Sequence, residues 1–241
     1  MKTAFVALFS LLISIFPQAA NANTIDELFK TVTKPASSSS LDDKTVVSGL
    51  REALSTGTAT AVRLVSKENG YFGNEAIKIL LPDKVQAAGE VLKKAGFGKE
   101  VDAFVLAMNR AAEKAAPQAK PIFLDAIRGM TFQDARQILS GGDTAATDYF
   151  KEKTSDRLAG AFRPVVSKSM KDVGVARTYK SMTDKFATLV PFVDTESLDL
   201  DHYVTGKALD GLFLMVGDEE KKIRTNPAAR TTELLKKVFG K

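Results

Sequence analysis

Residues Lys99 to Ala116 read KEVDAFVLAMNRAAEKAA, and within them Val101, Phe104, Val105, Met108, Ala112 and Ala115 recur at three- and four-residue spacing. That rhythm puts all six on one side of an α-helix, whereas a strand would need alternate positions. With Val101 at 0° and about 100° per residue, the apolar side chains fall within about 60° of it. Asp102, Asn109 and Glu113 fall at about 100°, 80° and 120°, a polar stripe bordering the face that must be buried.

The same period extends outward in both directions. Upstream, Val47, Leu50, Leu54, Ala61 and Val65 share a stripe that predicts one long helix over about 42–67, weakened at Gly49 and Gly57 and stopped by Asn69-Gly70. A helix over about 82–95 follows, with Pro82 in its first turn and Gly96 beyond its end. Downstream, Ile122, Phe123, Ala126 and Ile127 mark a helix, and Thr131 with Asp134 can cap another through Leu139. After the Gly141-Gly142 break, Asp143 is placed to cap a helix that turns Tyr149, Phe150, Leu158 and Phe162 inward. Pro164 separates that helix from an amphipathic one carrying Val175, Tyr179, Met182, Phe186 and Leu189, ended by Pro191. Residues 192–198 form a polar link. Val204, Ala208, Leu212, Met215 and Val216 then belong to a helix apolar nearly all round, which should lie centrally. Asn226-Pro227 opens a last helix with Leu234, Leu235, Val238 and Phe239 inward.

One stretch breaks the pattern. Between Tyr71 and Leu81, Ile77, Ile79 and Leu81 alternate before Pro82, whose ring disfavours helix in the residue preceding it. The expectation is all-α: a single bundle of about nine or ten helices with one short extended segment near 71–81.

The N-terminus reads differently. Lys2 precedes the uncharged run Ala4–Phe16 (AFVALFSLLISIF), and Ala20-Asn21-Ala22 forms a small-x-small site. This is the pattern of a cleavable secretory signal over residues 1–22, well short of the ~20 apolar residues that span a bilayer. With no Cys in the chain, lipid attachment, disulfides and cysteine-ligated metals are excluded. Residues 23–40, ending in Ser37-Ser38-Ser39-Ser40, read as a flexible leader to a helical domain over 41–241. The expected location is the periplasm, with no transmembrane segment after signal removal. The net charge of +5 is spread among acids along the chain, and no basic block with interleaved aromatics suggests nucleic acid.

Asn109-Arg110-Ala111-Ala112-Glu113 is followed by Pro121-Ile122-Phe123, Asp125-Ala126-Ile127, Ile138-Leu139-x-Gly141-Gly142-Asp143 and Ala145-Ala146-Thr147-x-Tyr149-Phe150. Together with Ala208-Leu209-Asp210-Gly211-Leu212-Phe213 and Ile223-Arg224-x-Asn226-Pro227-Ala228-Ala229-Arg230, they carry a resemblance running from about Gly49 to the C-terminus. The chain closely resembles a bacterial family of exported helical proteins of unknown function. The resemblance implies an envelope location and assigns no catalytic residue.

Asp102, Asn109 and Glu113, two carboxylates and an amide, could bind a cation or assist proton transfer, or could simply border the core, with Glu113 paired to Arg110 or to a neighbouring helix. Glu220 and Arg224 stand in the acid-first i,i+4 order of an intrahelical pair worth a few tenths of a kcal/mol. Arg230 can reach Asp210 or Asp134, or a ligand carboxylate. Tyr71-Phe72 places two aromatics before Gly73 in the irregular stretch, as a buried plug or as the rim of an apolar cavity. His202 is the only His, no Gly-x-Ser-x-Gly elbow exists, and one His cannot build a His-rich zinc site. Neither a catalytic residue nor a metal or other cofactor is expected. The ligand-binding candidates are Tyr71, Phe72, Asn109, Arg110, Glu113, Asp134, Asp210, Arg224 and Arg230.

The leading expectation is a non-enzymatic protein that binds an apolar small molecule or an envelope protein. The alternatives are a hydrolase using carboxylates such as Glu113, Asp125 and Asp134, favoured if they converge in one pocket, and a purely structural scaffold, favoured if no cavity exceeds roughly 300 Å³.

Overall fold

The computed structural model describes residues 43–172 and 199–226, with residues 180, 181, 184, 228 and 236 as isolated positions. Seven α-helices are formed there: α1 (Asp43–Ser66), α2 (Asp83–Leu92), α3 (Gly98–Ala115), α4 (Ala119–Gly129), α5 (Phe132–Ser140), α6 (Ala145–Asp172) and α7 (Leu200–Thr225). A π-turn (Lys93–Phe97) joins α2 to α3, and a 3-10 turn (Ala116–Gln118) joins α3 to α4. Since no loop intervenes at either join, the seven helices form five helical stretches among the described residues, not the nine or ten separate helices expected of the chain. The all-α expectation itself is met, with no strand among the described residues.

The two joins, together with the two expected helices that fall outside the described residues, account for the difference in count. Gly96 takes φ 93°, a left-handed conformation glycine adopts without steric cost, so the chain bends between α2 and α3 without a connecting loop. Pro164 was expected to end a helix, yet α6 runs straight past it. An interior proline costs about 3 kcal/mol through its missing N–H and its clash with the preceding turn. Here Phe162, Val166 and Met170 are buried on either side of it, and the packing of that face outweighs the penalty. Gly57 likewise does not interrupt α1. The helices expected over 175–190 and 227–239 fall outside the described residues, isolated positions apart.

The central position expected for the 204–216 helix is realised: α7 packs against α1, α3 and α6. Val204, Ala208, Leu212, Phe213 and Val216 are buried along it. Phe123 of α4 meets Phe150 of α6 with ring centroids 5.0 Å apart and Phe213 of α7 at 6.2 Å, joining three helices through tilted aromatic contacts. The apolar rhythm of α3 is buried as expected, with Val101, Phe104, Met108, Ala112 and Ala115 each 0% exposed. At the start of α5, Thr131 and Asp134 form the expected capping box: Asp134 N–H donates to Thr131 Oγ1 at 3.1 Å and Thr131 N–H to Asp134 Oδ2 at 2.8 Å.

Candidate functional site: the irregular segment and its mount

The segment between α1 and α2 closes turns through the N–H groups of Gly70, Gly73, Asn74, Ile77 and Lys78, and the amides of Tyr71, Phe72 and Ile79, outside those turns, need other partners. They find them on α3. The Asn109 side chain accepts from Ile79 N–H through Oδ1 and donates to Ile79 C=O through Nδ2, both at 2.8 Å. One turn further, Glu113 Oε1 accepts from the N–H groups of Tyr71 (3.1 Å) and Phe72 (3.2 Å). Arg110 completes the row: Nη1 meets Glu113 Oε2 at 2.6 Å, and Nη2 reaches Asn69 Oδ1 at 2.9 Å and Glu68 Oε1 at 3.1 Å. Asn69 sits at φ 62°, a left-handed turn position that asparagine tolerates.

Three of the expected ligand-binding residues thus form one rail that mounts residues 68–79. Asn109 and Glu113 are buried, and neither is available to a ligand while that segment is in place. Asp102, the third member of the stripe, is exposed and lies 3.7 Å from Lys93.

Tyr71 is the plug. Its ring is 0% exposed, and its hydroxyl donates to Ala208 C=O on α7 at 2.6 Å. Burial, then the nearby Glu113 carboxylate, pushes the phenol far above its ordinary range, so it stays a neutral donor. Gly211 makes the room: a Cβ there would lie 2.8 Å from Tyr71 Cε1 and 3.0 Å from Ile77 Cβ. Phe72 is half-buried with the Lys78 ammonium 4.7 Å from its ring centroid.

A second buried carboxylate, Glu220, was expected from the sequence only as the surface partner of Arg224. Glu220 on α7 accepts from Ala146 N–H (2.9 Å), Thr147 N–H (2.8 Å) and Thr147 Oγ1 (2.8 Å). Glu220 therefore caps α6, in favourable register with the helix dipole, and the exposed Asp143 does not. The i,i+4 pair with Arg224 forms as expected, Nε and Nη2 reaching Glu220 Oε1 at 2.9 and 2.8 Å, but both side chains are largely buried. Arg224 Nη2 also donates to Ile138 C=O on α5 at 2.8 Å. A signal was present: Glu220 continues the 209, 213, 216 stripe of α7, so a carboxylate stood where the core-facing period demands an apolar residue.

The remaining carboxylates are engaged separately. Asp125 lies on the surface between Arg128 (3.4 Å) and Arg157 (3.0 Å). Asp134 is held below the usual carboxylate range by the Thr131 hydroxyl and then its backbone N–H. Glu113, Asp125 and Asp134 do not share a pocket. His202 is exposed. Among the described residues no cluster of three or more metal-ligating side chains occurs. No described helix is long and apolar enough to cross a membrane.

Residues 40–240 match a family described as a protein of unknown function (DUF4197). The chain belongs to that family. No curated protein matches it, and neither does any solved structure.

In this DUF4197 chain the outer side of the mounted segment forms a groove of about 330 Å³, walled by residues 76–81, Asp83 and Gln86 on one side and α7 on the other. Tyr203, Lys207, Asp210 and Leu214 come from α7. Tyr203 donates to Leu80 C=O at 3.1 Å, its phenol pushed up by burial and then by Asp83. Among the described residues, Asp210 is thus the one expected site residue that faces this groove. A wider depression of about 640 Å³ follows α1 past Thr56, Thr60 and Arg63 to Pro117 and Lys120. By contrast, the apolar space between Leu50, Leu54, Ile138 and Ile223 amounts to about 10 Å³, room for one water and no ligand. Arg230 lies outside the described residues.

Proposed function

We propose that this protein is a non-enzymatic binding protein of the cell envelope, exported by a cleaved signal over residues 1–22, which engages a protein partner through the groove between residues 76–86 and α7. The observation that carries this reading is the pairing of Leu80 and Leu214. They are 53% and 45% exposed, and both line this one groove. Large apolar side chains left in water on facing walls, rimmed by Asp83, Lys207 and Asp210, have the composition of a docking surface.

Support also comes from how the polar side chains are used. Asn109, Glu113 and Glu220 hold backbone groups, and the three carboxylates of the hydrolase alternative occupy three different settings. The apolar-ligand version finds little room in the 10 Å³ space beside α1, and native mass spectrometry of gently purified protein tests it directly. A photo-crosslinking residue at Leu214, expressed in intact cells of the source bacterium, tests the docking reading. The expected result is a discrete covalent adduct in the envelope fraction, weakened by Leu80→Asp. Absence of any adduct from positions 214 and 80 in an exported protein overturns it. A phosphatase fused after residue 30 reports export independently.

A further inference from the structure

We propose that the groove takes its partner as an extended peptide, paired strand-fashion with the backbone of Lys78 and Leu80. This rests on the groove being a protein-docking site and names the form of the partner. Asn109 orients this stretch of backbone. Because its amide engages both N–H and C=O of Ile79, these two groups point toward α3 and residue 79 is extended. Each flanking peptide unit is planar and trans, so its N–H and C=O point in opposite directions. The Lys78 C=O and the Leu80 N–H must therefore face away from α3. The next group on that edge, Leu80 C=O, accepts from Tyr203, and Tyr203 lines the groove.

Neither the Lys78 C=O nor the Leu80 N–H has a protein partner among the described residues. One donor and one acceptor, spaced as on a strand edge and fixed by a side chain behind them, form a template for strand addition. Asn109 does on the inner edge what a neighbouring strand does in a sheet; on the outer edge Asn74 C=O takes the Lys78 N–H (2.8 Å) and Tyr203 the Leu80 C=O, which leaves the Lys78 C=O and the Leu80 N–H between them for an added strand.

The walls select the sequence of the added strand. Alternate side chains of a paired strand point to opposite faces. Leu80 and Leu214 offer apolar contact; of the charged lining, Lys78 is engaged by Glu75 at 3.4 Å and by the Phe72 ring and Lys207 lies 4.0 Å from Asp210, while Asp83 has no ion-pair partner among the described residues. The occupant is a peptide that alternates apolar with basic residues.

The test uses the exported chain and an acetylated, amidated hexapeptide alternating valine and arginine. Fluorescence anisotropy should show saturable binding, at least tenfold weaker for the valine–glutamate version and for a version N-methylated on alternate residues. Leu80→Pro, which deletes the donor, should weaken binding at least tenfold, and Leu80→Ala, which keeps it, by less. Should Leu80→Pro misfold, slowed exchange of the Leu80 amide on peptide binding to the wild type reports the same bond. No binding, binding indifferent to N-methylation, or self-association of the chain through this edge overturns the proposal. Adducts from Leu214 that persist in Leu80→Pro cells leave docking standing and remove strand pairing. Absence of adducts removes the docking reading itself.

Discussion

Asn109 holds Ile79 by both of its backbone groups, N–H to Oδ1 and Nδ2 to C=O, each at 2.8 Å and across 30 positions of sequence. A single side chain thus replaces the ladder that an extended segment otherwise takes from a sheet. Asn109 Nδ2 also donates to Val105 C=O at 2.8 Å, which fixes the amide's orientation on its own helix.

Asn109→Leu should therefore cost more than a surface substitution. It strands a buried donor and a buried acceptor, and at 1–3 kcal/mol for an unsatisfied group the loss should be about 3 kcal/mol. Urea unfolding measures it, and amide exchange at Ile79 should accelerate before global unfolding. An unchanged midpoint would mean that the segment is held by its apolar contacts alone.

Glu220→Ala removes the cap of α6 and leaves Arg224 beside it without its carboxylate. Breaking a buried ion pair in this way costs about 3–5 kcal/mol. Glu220→Gln, which still offers one acceptor, should lose less. Exchange rates of the Ala146 and Thr147 amides locate the effect; if both variants leave those amides protected, Glu220 is not the cap.

Two glycines on α7 should respond with opposite signs. Gly211→Ala forces a Cβ against Tyr71 and Ile77 and should destabilise by about 1–3 kcal/mol through overpacking. Gly206 meets nothing within 4 Å, so Gly206→Ala should stabilise by up to about 1 kcal/mol through helix propensity. Thermal unfolding of the two single variants decides it.

Acid should release the α5 cap. Asp134 is held below its ordinary 3.8 in the folded state, so its contribution is complete above that value. It is lost as pH falls through the lower folded value, because only the unfolded chain still gains a proton at the ordinary one. Thr131→Val removes the hydroxyl, the largest cause of the shift, and should cost about 1 kcal/mol at neutral pH. Between pH 5 and pH 2 the variant's stability should then fall less than the wild type's. Parallel acid limbs would contradict the assignment.

What the sequence determined is the local part. The three- and four-residue rhythm of Val101 to Ala115, the Thr131–Asp134 cap and the break before Pro82 specify helices, a boundary and an irregular stretch, because each depends on residues within a turn of one another. Periodicity also placed Asn109 and Glu113 at the border of a buried face. What they border was decided only by the tertiary structure: Ile79 and Tyr71 lie 30 and 42 positions away from them, and no local rule links those positions. The same holds for Glu220, which caps α6 through Ala146, 74 positions earlier in the chain. Pro164, which local preference reads as a stop, is overridden by the packing of Phe162 and Val166. Buried polar atoms must be satisfied wherever a partner lies in space, and where that partner lies is a property of the folded chain.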